Sequence, residues 1–336
     1  MKVDAGIGGT IHEAGLAAAA HEANGYDGVI TAETGHDPFL PLVAAAEHTE
    51  RVDLMTAIAV AFAHNPMTLA QVAWDLQAAS RGRFILGLGS QIKPHITRRY
   101  SMPWSHPARR MREMILAIRA IWACWTDGTP LEFRGEFYTH TLMTPFFNPG
   151  PNPHGDARIA LAGVGPLMTE VAGEVADGFI CHGFTTRRYL DEVTLPALRR
   201  GRDKAGKSMD DLQISGPMFL VTGRDEAEMA TAATAVRSQI AFYGSTPAYR
   251  PVLELHGWGE VQPELNRLSK EGRWDEMGGL VDDDVLDAFA VVAPLDRAAA
   301  ALRARWGGVL DRLSFYAPYA VDPGAVRSLV AELQAG

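Results

Sequence analysis

The feature that most constrains this chain is an alternation running almost from end to end, in which short β-branched or apolar runs are followed by longer stretches with helical spacing. The runs predict strands at Val3–Ile7, Gly28–Ala32, Leu54–Val60, Phe84–Leu88, Arg158–Ala162, Gly178–Cys181, Leu212–Val221 and Arg312–Tyr316. The clearest helix is Arg109–Trp125, where Met111, Met114, Ile115, Ile118, Ile121, Trp122 and Trp125 recur on one face. A strand followed each time by a helix and a short connection implies a parallel sheet. Eight repeats point to an α/β fold that closes on itself, a (β/α)8 TIM barrel, and 336 residues is an ordinary length for one. Two stretches break the rhythm. Asp127–Pro153 holds a hairpin-like piece, Glu132–Tyr138, and ends in Pro149-Gly150-Pro151-Asn152-Pro153. Phe242–Asp284 is rich in Gly, Pro and aromatics, with His256, Trp258 and Trp274. Long irregular segments inside a compact domain are usually functional or separately packed. Both are expected to be insertions at the C-terminal face of a single domain covering residues 1–336.

Charge and cysteine usage exclude several classes. The net charge is −9 with no Lys/Arg block, whereas nucleic acids and anionic membranes demand a basic footprint. An anionic cofactor remains compatible, because helix N-termini hold phosphate without net positive charge. No apolar run approaches the ~20 residues of a membrane span. Met1-Lys2-Val3-Asp4 leads directly into a strand without a signal-peptide pattern. Cys124 and Cys181 are too few for a disulfide framework or a Cys-based zinc site. His-Glu-x-x-His, Gly-x-Ser-x-Gly and P-loop patterns are absent, which argues against metal catalysis, α/β-hydrolase chemistry and P-loop chemistry. A cytoplasmic enzyme acting on a small molecule is the expectation.

Four strand ends carry candidate chemistry. After the second strand come Glu33, Thr34, His36 and Asp37, then Pro38 and Phe39 opening a helix. Polar groups at C-terminal strand ends of a barrel face the active-site mouth. Asp37 is equally suited to capping that helix, but capping requires neither Glu33 nor His36. After the third strand, His64 is either a pocket residue or a structural histidine, and Asn65 before Pro66 reads as an N-cap. The fourth strand ends in Gly87-Leu88-Gly89-Ser90-Gln91, where glycine permits close approach to the backbone. Downstream, Lys93, His95, Arg98 and Arg99 are either a solvated loop or a face for an anion. The fifth strand ends in Gly163-Val164-Gly165-Pro166, either a tight turn or a phosphate site made by free N–H groups at a helix start. Phe62, Trp104, Phe146, Phe147, Phe184 and Trp258 in loops suggest an aromatic-walled pocket and a fairly apolar substrate.

Taken in order, these segments resemble the bacterial luciferase-like superfamily, whose members include flavin monooxygenases and oxidoreductases using the deazaflavin coenzyme F420. The resemblance rests on Gly25-Tyr26-Asp27-Gly28, Asn65-Pro66, Ser80-Arg81-Gly82-Arg83 through Gly89, Arg112-Glu113 with Arg119–Trp122, Gly135-Glu136-Phe137-Tyr138, Gly163–Pro166 and Ala176-Asp177-Gly178. Thr31–Pro38 and Phe137–Pro149 are most similar to an actinobacterial subgroup assigned to F420. The resemblance implies that the third strand carries a bulge with a non-prolyl cis peptide at Ala57-Ile58, beside Thr56, supporting the cofactor ring. It further implies that Gly89, Ser90 and Gln91 line the site and that Gly163, Val164 and Gly165 hold the cofactor phosphate. An Asp-His pair of relatives falls on Glu33 and Thr34, so His36 would replace the histidine, and Glu33, His36, His64 or His182 would supply or accept the proton. A glutamate that sugar-phosphate-oxidising relatives use falls near Gln91–Ile92 and is missing, which disfavours that reaction. The implied activity is F420-dependent hydride transfer; FMN-dependent monooxygenation and a non-catalytic deazaflavin-binding barrel are the alternatives, and homo-oligomers are typical of relatives.

Overall fold

The structure, a computed structural model, describes residues 1–335. All eight strands form: β1 (Lys2–Gly6), β2 (Gly28–Thr31), β3 (Asp53–Thr56), β4 (Phe84–Gly89), β5 (Arg158–Gly163), β6 (Gly178–Cys181), β7 (Gln213–Val221) and β8 (Arg312–Tyr316). They follow one another in the sheet from β1 to β6, β8 lies between β7 and β1, and β6 also pairs with β7. That order is a (β/α)8 barrel. Two short strands sit outside the ring of eight: Ala59–Val60 pairs with β4, and Ala290–Val292 pairs with β7. By internal packing the chain divides into two compact units, Ala5–Ile180 with Ala197–Gln213, and Met1–Asp4 with Cys181–Pro196 and Ile214 onward.

In the larger unit, helix α1 (Ile11–Ala23) begins in a capping box, with Glu13 N–H donating to the Thr10 hydroxyl and Thr10 N–H donating to the Glu13 carboxylate. It is followed by α2 (Leu40–His48) and α3 (Pro66–Ala79), the latter capped by the Asn65 side chain on Thr68 N–H as its sequence suggests. Helix α4 (Pro107–Asp127) exceeds the predicted stripe by two residues at each end and stops at Gly128, whose φ of 67° suits a residue without Cβ. Its seven stripe residues are all buried. The expected hairpin forms between Phe133–Arg134 and Thr139–His140. Its turn is held by α4, because the Glu113 carboxylate accepts the N–H groups of Glu136, Phe137 and Tyr138 at 2.6–2.9 Å.

The third strand departs from its expected course. Leu54–Val60 reads as one continuous run, yet the ladder on β2 ends at Thr56 and pairing resumes at Ala59 opposite Leu88. Between them the Ala57-Ile58 peptide is cis. Thr56 is fully buried; its hydroxyl donates to the Gly87 carbonyl at 2.8 Å and accepts the Gly87 N–H at 2.9 Å. Both backbone groups of Gly87 thereby find partners although no strand partner faces them. A Cβ at position 87 would lie 1.8 Å from the Thr56 carbonyl oxygen. Gly87→Ala is therefore expected to cost about 3 kcal/mol, because backbone rather than a side-chain tip must move. A denaturant midpoint indistinguishable from that of the parent chain would show that the strands slide apart freely.

In the smaller unit, β7, β8 and β1 lie side by side, and Asp4 of β1 pairs with Arg312 of β8 in the interior. The stretch Phe242–Asp284, expected as irregular insertion, is mostly helical. The helix Glu226–Gly244 runs into it, followed by Arg250–Leu255, Val261–Lys270 and Trp274–Met277, with Asp283–Phe289 after. These helices are short, and Gly257 and Gly272, at φ 82° and 73°, end two of them. Arg250–Leu255 buries the adjacent Val252 and Leu253, whereas Val261–Lys270 buries Gln262, Leu265 and Leu268, three residues apart on one face.

Candidate active site

Glu33, two residues beyond β2, is the hub of the larger unit's polar contacts at the strand ends. Its N–H donates to the Ile58 carbonyl at 3.0 Å, tying the loop to the interrupted third strand. Its Oε2 accepts the Val60 N–H at 2.6 Å and lies 3.1 Å from His64 Nε2, while Oε1 accepts the Tyr100 hydroxyl at 3.2 Å. Burial opposes ionisation of this carboxyl, but the bonds from His64, Val60 and Tyr100 prevail and hold its pKa below the usual range. An ionised carboxylate accepts the Nε2–H of His64, and in that tautomer Nδ1 is the ring's acceptor. The Glu33 side chain is 9 % exposed and that of His64 25 %, so the imidazole is the member of the pair nearer solvent. Burial and the Glu33 charge raise the pKa of Tyr100, keeping it a neutral donor.

The rest of that loop is fixed by backbone-directed bonds. The Thr31 hydroxyl donates to the Pro38 carbonyl at 2.7 Å, and Asp37 accepts from Phe39 and Leu40 N–H. Helix α2 starts at Leu40 with Phe39 as its N-cap, so Asp37 braces the helix start from outside instead of capping it directly before Pro38. Arg99 donates to the Thr34 carbonyl and lies 4.9 Å over the Tyr100 ring. Of the downstream basic residues, Arg99 is thus a brace for this loop. His36 is exposed, and it is His64 that bonds Glu33.

Beneath this pair lies an apolar ledge. Met55, Ile85, Ala160 and Ile180 form a buried layer, on which the partly exposed Ile30, Ala57, Ile58 and Ala162 pack. Gly89 makes room for the Ile58 side chain, since a Cβ there would come within 2.9 Å of Ile58 Cδ1. Gln91 has a left-handed φ of 58°, with its side-chain oxygen accepting Ile92 N–H and its carbonyl accepting the Ser90 hydroxyl. Beyond β5, Gly165 is the N-cap of α5 (Pro166–Val175) and makes no side-chain cap bond. The start of α5 lies beside an exposed glycine, and the N–H groups that follow Pro166 suit an anion. Thr56 differs from the other cofactor-site candidates: its hydroxyl is spent on Gly87, so it supplies position. Among the described residues, no group of three or more His, Cys, Asp or Glu side chains could hold a metal ion.

The loop aromatics divide. Phe62 is buried edge-to-face on Trp104 and under Arg110, and Phe184 is buried on Phe289, so neither forms the expected pocket wall. Apolar neighbours claim both rings. Phe146 and Phe147 stand in solvent.

The sequence profile of the luciferase-like monooxygenases matches residues 2–312. The chain belongs to that family. An uncharacterized Mycobacterium tuberculosis protein, Rv1360, is 58 % identical over 313 residues, covering 93 % of this chain and 92 % of its own. An F420-dependent glucose-6-phosphate dehydrogenase of Amycolatopsis mediterranei is 26 % identical over 290 residues, covering 85 % and 80 %. Among solved structures, the coenzyme F420-dependent tetrahydromethanopterin reductase of Methanopyrus kandleri superposes with a TM-score of 0.81 at 19 % identity, over 100 % of this chain and 98 % of that one. F420-dependent oxidoreductases are thus relatives and structural neighbours of this luciferase-like chain.

Several motifs behind the family resemblance hold the barrel together. Arg83 donates to Ser80, Thr49 and Val52 carbonyls, joining the end of α3 to the start of β3. Arg119 of α4 pairs with Asp177, whose carboxylate also accepts the Ile159 N–H, locking α4 to β5 and β6. Glu113 clasps the hairpin turn at Gly135-Glu136-Phe137-Tyr138. Tyr100 was not singled out by sequence reasoning. It lies 67 positions from Glu33, and a lone tyrosine after a basic stretch carries no local signal.

Proposed function

We propose that this luciferase-like protein is a coenzyme F420-dependent oxidoreductase acting on a small, fairly apolar organic substrate. The observation that carries the reading is the ledge of Ala57, Ile58 and Ala162 beside Glu33, whose backbone N–H donates to the Ile58 carbonyl and whose carboxylate pairs with His64. The residues fit a flat ring with an anionic tail. An apolar shelf accepts a ring face, and the uncapped start of α5 after Gly163, Val164 and Gly165 accepts a phosphate. When bound, F420 supplies hydride donation and acceptance at C5 of its ring. The chain's own residues do the positioning: Ala57 and Ile58 support the ring, Thr56 fixes them through Gly87, and Gly89, Ser90 and Gln91 border it. His64 moves the proton and Glu33 orients it, with the exposed His36 as a second proton carrier. Gln91 stands where a glutamate would serve sugar-phosphate oxidation, so that substrate is not carried over from the relative. With this reading go one functional domain over residues 1–336, a cytoplasmic setting and a homo-oligomer.

The family's monooxygenases keep a second reading in play, an FMN-dependent monooxygenase on the same ledge. Titration separates the two: the purified protein is expected to quench F420 fluorescence on binding and to leave FMN fluorescence unchanged. Binding of FMN without F420, with oxygen consumption when reduced FMN is supplied, would replace the first reading with the second. Binding of F420 with no oxidation of its reduced form by a panel of carbonyl, imine and enone acceptors would leave a silent deazaflavin-binding barrel.

A further inference from the structure

The smaller unit carries its own polar cluster, which the Glu33–His64 site does not use. His182 directly follows β6, and its ring is held from two sides. Nδ1 accepts the Phe184 N–H at 3.0 Å, and Nε2 lies 3.2 Å from the Tyr249 hydroxyl. Burial pushes the pKa of His182 down to about 4, so the ring is neutral near pH 7. With Nδ1 accepting, the one ring proton sits on Nε2 and is donated to the Tyr249 oxygen. Tyr249 keeps its own proton, and among the described residues it makes no hydrogen bond to an acceptor. Beside it, the hydroxyls of Tyr243 and Tyr316 are 2.8 Å apart, and Gln239 also bonds Tyr243. One proton of that tyrosine pair is spent between its members; the other is free. Tyr316 is the last residue of β8.

The pairs belong to one aromatic cluster. His182 lies 4.6 Å from the Tyr249 ring and 4.8 Å from the Tyr243 ring, and Phe219 packs edge-on to Tyr316 at 4.8 Å. No charged side chain hydrogen-bonds any of the four polar members among the described residues. Two uncommitted donors on apolar walls select for a particular ligand group. A carboxylate or phosphate would be desolvated here without a countercharge. A pure hydrocarbon would leave both donors unpaired. An uncharged oxygen acceptor on an apolar frame meets both conditions.

We propose that Tyr249 and the free hydroxyl of the Tyr243–Tyr316 pair form a binding subsite for the carbonyl oxygen of a ketone, aldehyde or enone. His182 sets which way the Tyr249 proton points. The subsite itself is a statement about binding; that the carbonyl compound is the substrate rests on the oxidoreductase reading above.

The test uses the full chain, cyclohex-2-en-1-one as probe, and the variants Tyr249→Phe and Tyr316→Phe, which keep the rings and drop one hydroxyl each. In the parent protein the probe's carbonyl stretch is expected to move to lower frequency on binding, the mark of hydrogen bonds to oxygen. Tyr249→Phe is expected to weaken probe binding about five- to tenfold and to reverse part of that frequency shift. Tyr316→Phe carries the same expectation should the first variant fail to fold. F420 binding, measured separately by fluorescence quenching, is expected to be unchanged in both. If the parent protein does not bind the probe, or the variants match its affinity and carbonyl frequency, the subsite is overturned. If the probe depends on Tyr249 but F420 does not bind, the subsite stands and the oxidoreductase reading falls.

Discussion

Replacing Glu33 by Gln is expected to slow oxidation of reduced F420, by an acceptor found in the carbonyl, imine and enone panel, about 10²- to 10⁴-fold. The geometry states why the loss should fall on turnover. Glutamine is isosteric, and its amide oxygen can still accept the Val60 N–H that Glu33 holds at 2.6 Å, so the bulge after β3 keeps its bond. What disappears is the charge opposite His64 at 3.1 Å, together with the fixed demand for a proton on Nε2. Without the carboxylate, an imidazolium formed during the reaction lacks its counterion, and the ring is free to adopt the other tautomer. F420 affinity should therefore hold while kcat falls, and Glu33→Asp, which restores the charge on a shorter arm, should recover part of the rate. Equal losses in F420 binding and turnover would mean that Glu33 merely supports the ledge. A rate unchanged in Glu33→Gln would remove the pair from the chemistry.

The strands were legible because a parallel sheet buried on both faces needs apolar runs, and each run here is bounded by glycine or a polar cluster. All eight were found, with ends shifted by at most one residue except at the third. There the run Leu54–Val60 is apolar throughout, so periodicity had no way to mark the interruption at Ala57-Ile58; only the resemblance did. The helices between Gly244 and Asp282 were harder to read, since they are four to ten residues long and broken by Gly257 and Gly272. The site was half visible. Glu33, His64, Gly89 and Gly163–Gly165 announce themselves because polar groups and glycines at strand ends are unusual. Their partnerships do not: Glu33 meets His64 across 31 positions and Tyr100 across 67, and such pairings come from strand order. The cluster of His182, Tyr249 and Tyr316 joins the ends of β6 and β8 to the turn before Arg250–Leu255 in the same way. The family motifs mislead in one respect. Arg83, Glu113 and Asp177 are the most recognisable residues, yet they bind backbone groups and, for Asp177, Arg119, and so report fold before chemistry.

Arg312→Met is expected to destabilise the protein by about 3–5 kcal/mol, which at the upper end is a large share of the stability of an ordinary domain. Arg312 is 1 % exposed and Asp4 3 %, and the guanidinium donates to both carboxylate oxygens at 2.7 and 2.6 Å. The two strands that carry them run parallel with Asp4 opposite Ser314 and Lys2 opposite Arg312. Taking away the cation removes the guanidinium that meets both oxygens of an interior carboxylate, and that loss of opposite charge is the main cost. Removing both charges should then cost less than removing one. In Asp4→Leu with Arg312→Met, apolar groups of similar volume replace the pair, and most of the stability is expected to return. Urea midpoints of the parent, the single variant and the double variant decide the matter, and a double variant no more stable than Arg312→Met would assign the loss to packing rather than charge. The position of the pair gives the test a second edge. Arg312 opens β8, whereas barrel chemistry sits at the opposite, C-terminal strand ends. The double variant should accordingly bind F420 as the parent does, which separates the groups that hold the barrel closed from those at its working face.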